Sequence, residues 1–131
     1  MRIVGIDFGE RRIGVAAADD RLRIAIPVET VEVKSDPVAD IVKVAEDQRA
    51  DELVVGLPLS LSGAEGPQAK RIREAVEQLS TRLTIPIHLQ DERLTTAEAR
   101  RVVAVGKGGV GKDAIAASLL LQAYLDSHRP V

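Results

Sequence analysis

Cysteine is absent from this 131-residue chain, and histidine occurs only twice, at His88 and His128. Without cysteine the chain has neither disulfides nor thiolate metal sites. Two histidines are also fewer than the ligand sets of most zinc centres require. If the protein uses a metal ion, its ligands are therefore expected to be oxygen atoms.

Aromatic residues are almost as scarce, because Phe8 and Tyr124 are the only two in the chain. Proteins that bind single-stranded nucleic acid usually stack bases on aromatic side chains, so base stacking is expected to be minor here. The formal net charge of −2 excludes a basic field over the whole surface. Basic residues nevertheless cluster, as at Arg11 and Arg12, which leaves room for a local patch that binds backbone phosphates with steep salt dependence.

Long hydrophobic runs are missing too, and the opening MRIVGIDFG has no apolar core followed by a signal-cleavage site. No membrane association is expected, and the expected location is the cytoplasm. The chain is 45% hydrophobic and 29% charged. This composition and the length predict one domain, residues 1–131, with no linker or internal repeat.

The sequence predicts three strands followed by an alternation of helices and strands. Short connections between the first three strands predict an antiparallel meander. The predicted strands cover residues 2–8, 13–18, 23–33, 52–57 and 85–90, and the predicted helices begin near Asp36-Pro37, Pro67, Thr95 and Asp113. This order predicts an α/β fold with a five-stranded mixed sheet, a meander followed by β-α-β-α-β, and helices on both faces.

A glycine-rich segment, Gly106–Lys112, has the spacing of a Walker A motif, but Asp113 stands where serine or threonine is required. A working P-loop also needs a strand before it and a later strand with a second magnesium ligand. The residues before this segment continue a helical pattern, and those after Asp113 are taken up by one helix. An ATP site is not favoured, and Asp113 remains either a helix N-cap or a ligand.

Acidic residues stand at three places where strands end or a helix begins. Asp7 lies in an apolar strand, where burying a carboxylate is costly unless it is paired or bound to a cation. Asp91 and Glu92 end the fifth strand, and neighbouring strand residues face opposite ways, so only one of them can point at a site shared with Asp7. If these groups and Asp113 converge, their oxygens suit two Mg²⁺ or Mn²⁺ ions that hydrolyse a phosphodiester.

Four segments of the chain resemble, in order, motifs of the YqgF family, also called RuvX or the Holliday-junction-resolvase-like proteins. They are GIDFGERRIGVA (5–16), VVGLPLSLSGAEGPQA (54–69), DERLTTAEA (91–99) and KDAIAASLLLQAYLD (112–126). The resemblance implies an RNase H-like fold and a metal-dependent nuclease that trims the 5′ end of precursor 16S rRNA. It implies that Asp7, Glu92 (with Asp91 as its rival) and Asp113 are the catalytic, metal-binding acids.

The chain departs from related resolvases at the fourth strand, where they carry an acid and this chain has Val55-Gly56-Leu57-Pro58. This departure leaves Glu92 to supply the second ligand. Basic residues beside the motifs are expected to contact substrate phosphates. These residues are Arg12, Arg93, Lys107 and Lys112. The alternatives are that Arg12 is a solvated charge in the hairpin and that Arg93 pairs with Asp91.

Three functions from different classes stay open at this point. The first is a nuclease acting on precursor 16S rRNA, and the second is a Holliday-junction resolvase acting on branched DNA, which would need two sites in a dimer. The third is a non-catalytic nucleic-acid-binding factor that retains the acids as remnants. The expected state is a monomer or a weak homodimer. An ATPase of the sugar-kinase type shares the opening motif but needs a second large domain.

Overall fold

The computed structural model describes residues 1–60, 62–92 and 111–128. Five strands and three helices lie in this part of the chain. In chain order they are β1 (Arg2–Phe8), β2 (Arg12–Asp19), β3 (Ile26–Glu32), α1 (Pro37–Asp47), β4 (Glu52–Leu57), α2 (Pro67–Arg82), β5 (Ile87–Asp91) and α3 (Gly111–Ser127). These bounds confirm the predicted elements to within three residues, and the helix predicted from Thr95 lies outside the described residues.

The five strands form one sheet in the order β3-β2-β1-β4-β5. The pairs β1–β2 and β2–β3 are antiparallel, and the pairs β1–β4 and β4–β5 are parallel. The predicted meander and mixed sheet are therefore confirmed. Because β1, β4 and β5 run the same way, their carboxyl ends meet at one edge of the sheet, where open α/β sheets bind their ligands.

Helices cover both faces of the sheet, as the sequence predicts. Alternate residues of β1, β2 and β4, among them Ile6, Val15 and Val55, pack against α1 and α2 in the larger core cluster. Residues of the opposite parity, such as Ile3 and Val54, pack against α3. Two apolar layers therefore fix where α3 crosses the sheet.

The start of α1 follows the predicted capping chemistry. The Asp36 carboxylate accepts hydrogen bonds from the backbone N–H of Val38 at 3.1 Å and of Ala39 at 3.3 Å, and Pro37 is the first helical residue. The sequence predicts that Val42 lies on the buried face, but Val44 is buried and Val42 is only half-buried. Across the described ranges, none of the helices combines the length and apolarity needed to cross a bilayer.

Candidate active site

Asp7 lies near the carboxyl end of β1, on the sheet face that α3 covers. Its neighbour in the antiparallel ladder of β2 is Gly14. A Cβ atom at Gly14 would stand 1.9 Å from the backbone oxygen of Asp113 and 3.0 Å from the nitrogen of Ala114. The first turn of α3 therefore rests directly on the backbone of β2, beside Asp7, and only glycine allows this approach.

Glu92 follows β5, two strands away from Asp7, and its carboxyl group is hydrogen-bonded to that of Asp7. The Glu92 side chain lies over Gly56 of β4, where a Cβ atom would stand 2.2 Å from the Glu92 Oε1 atom. The residue in β4 therefore supplies space instead of a carboxylate, and the acid reaches across this space from β5. Glu92 thus places a carboxyl group over β4, the strand in which related resolvases carry an acid.

The structure distinguishes the two neighbouring acids at the end of β5. Asp91 pairs with Leu57 and has the same strand parity as Leu89, which packs against the cluster under α1 and α2. Glu92 is the one that meets Asp7 on the α3 face. The expectation that only one of the two reaches this site agrees with the alternation of β5, while the role of Glu92 as a ligand stays a prediction.

Burial raises the pKa of both carboxyl groups in the Asp7–Glu92 pair. For Glu92 the pKa rises to about 7, because burial is reinforced by the charge of Asp7, by their hydrogen bond and by the charge of Asp91. Burial likewise raises the pKa of Asp7, with a contribution from the charge of Asp113, while the hydrogen bond with Glu92 opposes the rise. Near neutral pH the pair therefore tends to hold one proton in common.

Asp113 is the third residue of α3 and lies inside its first turn, so it is not the residue that precedes and caps the helix. A carboxylate in this position is stabilised by the helix dipole. Its Oδ2 atom lies 4.0 Å from Nη1 of Arg12, whose side chain is 56% exposed. Its charge acts on Asp7, but among the described residues no three acidic or imidazole groups are close enough to hold one metal ion together.

The donors at this edge nevertheless suit a hard divalent cation. Carboxylate oxygens are the ligands that Mg²⁺ and Mn²⁺ prefer. Both carboxyl groups are half-buried, which disfavours their ionised forms and raises their pKa values, and a bound cation would stabilise the ionised pair. Asp7 and Glu92 therefore suit a metal site, and Asp113, whose charge acts on Asp7, stays a predicted third ligand.

Two of the four basic residues predicted to contact substrate lie in the described part of the chain. Arg12 begins β2 and Lys112 is the second residue of α3. Both are exposed, and both lie next to Asp113, Arg12 in space and Lys112 along the chain. Arg93 and Lys107 lie outside the described residues. Most of the Walker-like segment also lies outside them, and in the described ranges every strand precedes α3, so the later strand of an ATP-binding P-loop is not found there.

Gly14 and Gly56 are the points at which Asp113 and Glu92 approach the strands, and neither contact was predicted from the sequence. Each is a glycine inside a buried strand, a pattern that often marks the close approach of another group. That signal was present in the sequence at both positions. It indicates a close approach without identifying the approaching group, because Asp113 and Glu92 are distant from these glycines along the chain.

The RuvX family, described as Holliday junction resolvase, matches residues 1–127 of this chain. The chain belongs to the RuvX family. A relative from Anaeromyxobacter dehalogenans (strain 2CP-1) is 42% identical over 139 residues, an alignment that covers 99% of this chain and 100% of the relative. The name of that relative describes it, provisionally, as a pre-16S rRNA nuclease. The resemblance seen in the four sequence motifs is thereby confirmed.

Two solved structures show which fold the RuvX chain shares. RuvC of Thermus thermophilus, in complex with a Holliday junction substrate, matches with a TM-score of 0.63 and 15% identity, covering 97% of this chain and 95% of RuvC. The Fowlpox virus resolvase, in complex with Holliday junction DNA, matches with a TM-score of 0.65 and 10% identity, covering 97% and 98%. At these identities the likeness concerns the fold alone, and the expected RNase H-like fold is confirmed.

Proposed function

We propose that this RuvX chain is a metal-dependent nuclease that hydrolyses phosphodiester bonds of precursor 16S rRNA during ribosome maturation. The observation that carries the proposal is the half-buried, hydrogen-bonded pair of Asp7 and Glu92 at the carboxyl edge of the parallel strands. The provisional name shared by its curated relatives supports the choice of substrate. Such maturation would take place in the cytoplasm.

In this proposal Asp7, Glu92 and Asp113 hold Mg²⁺ or Mn²⁺, with two ions as the expected number. When bound, such ions activate a water molecule and stabilise the leaving oxygen of a phosphodiester. Glu92 and Asp7 must give up their common proton before both can act as ligands, so metal binding should release a proton near neutral pH. Arg12 and Lys112 then contact phosphates of the strand and orient it over the acidic pair.

A second candidate is a Holliday-junction resolvase. It is favoured by the description of the family and by the two neighbours that were solved with junction DNA. Cutting a junction symmetrically requires two sites related by a dimer axis. A monomer acting on RNA has no such requirement, so the oligomeric state, expected to be a monomer or a weak homodimer, bears on the choice between the two functions.

The test compares two substrates side by side, the 5′ end of precursor 16S rRNA and a four-way DNA junction, with Mg²⁺, Mn²⁺ or EDTA. The proteins are the wild type, Asp7→Asn and the control Asp47→Asn, which makes the same change at an exposed position at the end of α1. We expect metal-dependent RNA cleavage that is lost only in Asp7→Asn. Cleavage of the junction alone would support the resolvase, and equal RNA binding by all three proteins without cleavage would support a non-catalytic binding factor.

A further inference from the structure

A charged cleft lies between the β1–β2 turn and the end of β3 with the residues that follow it. Its volume is about 360 Å³, at the lower end of the range of small-ligand sites, which is roughly 300–1,000 Å³. We call it the arginine cleft. Three cationic side chains and two acidic ones line it together with one valine: Arg11, Arg12, Lys34, Glu10, Glu32 and Val33.

Backbone hydrogen bonds fix the parts of the arginine cleft relative to one another. The N–H of Gly9 donates to the Arg12 carbonyl at 3.0 Å, which closes the β1–β2 turn. The N–H of Val33 donates to the Arg11 carbonyl at 2.8 Å, and the N–H of Lys34 donates to Oδ2 of Asp40 at 3.2 Å. The exposed cationic side chains therefore extend from backbone that is already in place.

One acid and one cation of the arginine cleft are paired with residues outside it. Glu10 forms an ion pair with Arg71 at 2.9 Å, and Arg71 does not line the cleft. Glu32 stands opposite Arg12 in the β2–β3 ladder. Within the described ranges neither Arg11 nor Lys34 forms an ion pair. These two cations are therefore available to an anion from solution.

The arginine cleft adjoins the acidic centre (Asp7, Glu92 and Asp113) through Arg12, which lines the cleft and whose Nη1 atom lies 4.0 Å from Oδ2 of Asp113. A strand whose phosphodiester lies over Asp7 would therefore pass the cleft with a neighbouring phosphate. In a chain with two aromatic residues and a net charge of −2, local cations of this kind must supply most of the attraction for a nucleic-acid backbone.

We propose that the arginine cleft binds a backbone phosphate next to the one that is cleaved, with Arg11 and Lys34 as its ligands. This inference rests on the proposed function and deepens it, because it identifies positioning residues that act on the substrate strand outside the acidic centre. Arg11 and Lys34 fix the register of the strand and take no part in the chemistry at the scissile phosphate.

The test measures the affinity for the 5′-end precursor RNA in EDTA at several salt concentrations, where no cleavage interferes. The variant Arg11→Ala/Lys34→Ala is compared with Arg21→Ala/Lys43→Ala, which removes the same charge from exposed positions in the β2–β3 turn and on α1. We expect about tenfold weaker binding for the first variant and a salt slope (log K against log salt) that is smaller by about 0.7, the value for one lost phosphate contact on a single strand.

A second measurement locates the phosphate itself. A single neutral methylphosphonate linkage is placed in turn at each position near the cleavage site, and each RNA is titrated with the wild type and with Arg11→Ala/Lys34→Ala. We expect one position to weaken binding by the wild type and to have no further effect on the variant. Equal salt slopes for the two double variants, or the absence of such a position, would overturn the proposal.

The subsite and the nuclease activity can fail separately. If the wild type cleaves RNA while Arg11→Ala/Lys34→Ala keeps the wild-type slope and affinity, the subsite is wrong and the nuclease stands. If the variant has the smaller salt slope and shows no methylphosphonate effect, but the wild type cleaves neither substrate, the subsite stands and the proposed nuclease is wrong.

Discussion

The two ends of α3 are held to the sheet in different ways. At the carboxyl end, Arg23 donates to the backbone carbonyls of Leu125 and His128, and the Gln122 side chain bonds to the backbone of Arg23 and Ala25. At the amino end, the first turn lies on the backbone of Gly14, beside half-buried acids whose ionised forms are disfavoured. One end makes specific stabilising contacts, and the other places charged groups at an energetic cost.

Three of the four aromatic or imidazole rings of the chain meet at the carboxyl end of α3, and the fourth, that of Phe8, follows Asp7 in β1. Both histidines of the chain stack on its one tyrosine at the carboxyl end of α3, with ring centroids of His88 and His128 at 5.4 and 4.1 Å from that of Tyr124. The acidic centre has none of these rings. These ring contacts and hydrogen bonds stabilise the end of α3 where no chemistry is proposed, and the acids of the proposed reaction lie at the other end.

The largest effect is expected from Gly14→Ala, because the added Cβ would stand 1.9 Å from the Asp113 backbone oxygen. The contacted atoms belong to the backbone and cannot move aside by rotation of a side chain, so the first turn of α3 must move off the sheet. We expect a loss of about 1–3 kcal/mol or more in the free energy of unfolding, measured by urea titration, together with loss of RNA cleavage.

Gly66→Ala is the matched control, since no atom lies within 4 Å of the Cβ position there. Because Gly66 is also the N-cap residue of α2, where glycine is preferred to alanine, the change should cost at most about 1 kcal/mol in the free energy of unfolding and leave RNA cleavage unchanged. Wild-type stability in Gly14→Ala would mean that α3 does not rest on β2 as described.

Gly56→Ala tests the same end of α3 with a smaller structural change. Its Cβ would meet the Glu92 carboxyl group at 2.2 Å, and a side chain can move where backbone cannot. We expect the fold to survive with an unfolding free energy within about 1 kcal/mol of the wild type, while displacement of Glu92 lowers the rate of RNA cleavage about 10²-fold. Unchanged cleavage would show that the position of Glu92 does not matter to the reaction.

The hydrophobic periodicity predicted the elements and the two-faced packing well, because both depend on local patterns. The cap at Asp36 and the helix start at Pro67 are local too, and both were predicted. The contact between Glu92 and Asp7 depends on the order and register of β1, β4 and β5, which are long-range properties. The ambiguity of Asp113 has a different cause, which is the exact start of the last helix. The sequence predicts a start near Asp113, whereas the helix begins two residues earlier, at Gly111.

The pH dependence of stability tests the energetic cost at the acidic centre. Glu92 has an ordinary pKa of 4.5, which burial and the charge of Asp7 raise to about 7 in the folded state. The folded protein therefore binds more protons than the unfolded chain between these values, and its stability falls as the pH rises from about 4.5 to 7. The raised pKa of Asp7 acts with the same sign.

Glu92→Gln removes this penalty in the metal-free protein. At pH 8 in EDTA we expect the variant to be more stable than the wild type by on the order of 1–3 kcal/mol, with little difference at pH 4.5, as followed by urea unfolding. Glu77→Gln, at an exposed position on α2, is the matched control and should follow the wild type at both pH values. If the stability of Glu92→Gln depended on pH in the same way as that of the wild type, the pairing of Asp7 with Glu92 would be contradicted.

The smallest effect on RNA cleavage is expected from Arg23→Ala, at the opposite end of α3. This change removes the guanidinium that bonds to the carbonyls of Leu125 and His128, where the last turn of a helix otherwise lacks donors. We expect a loss of about 1–2 kcal/mol in the free energy of unfolding. RNA cleavage at 25 °C should stay within about twofold of the wild type, because the first turn of α3 still rests on Gly14. Arg21→Ala, in the same turn at an exposed position, should change neither quantity. If Arg23→Ala instead lowered cleavage as much as Gly56→Ala does, α3 would transmit changes along its length, and its two ends could not be treated as separate stabilising and functional regions.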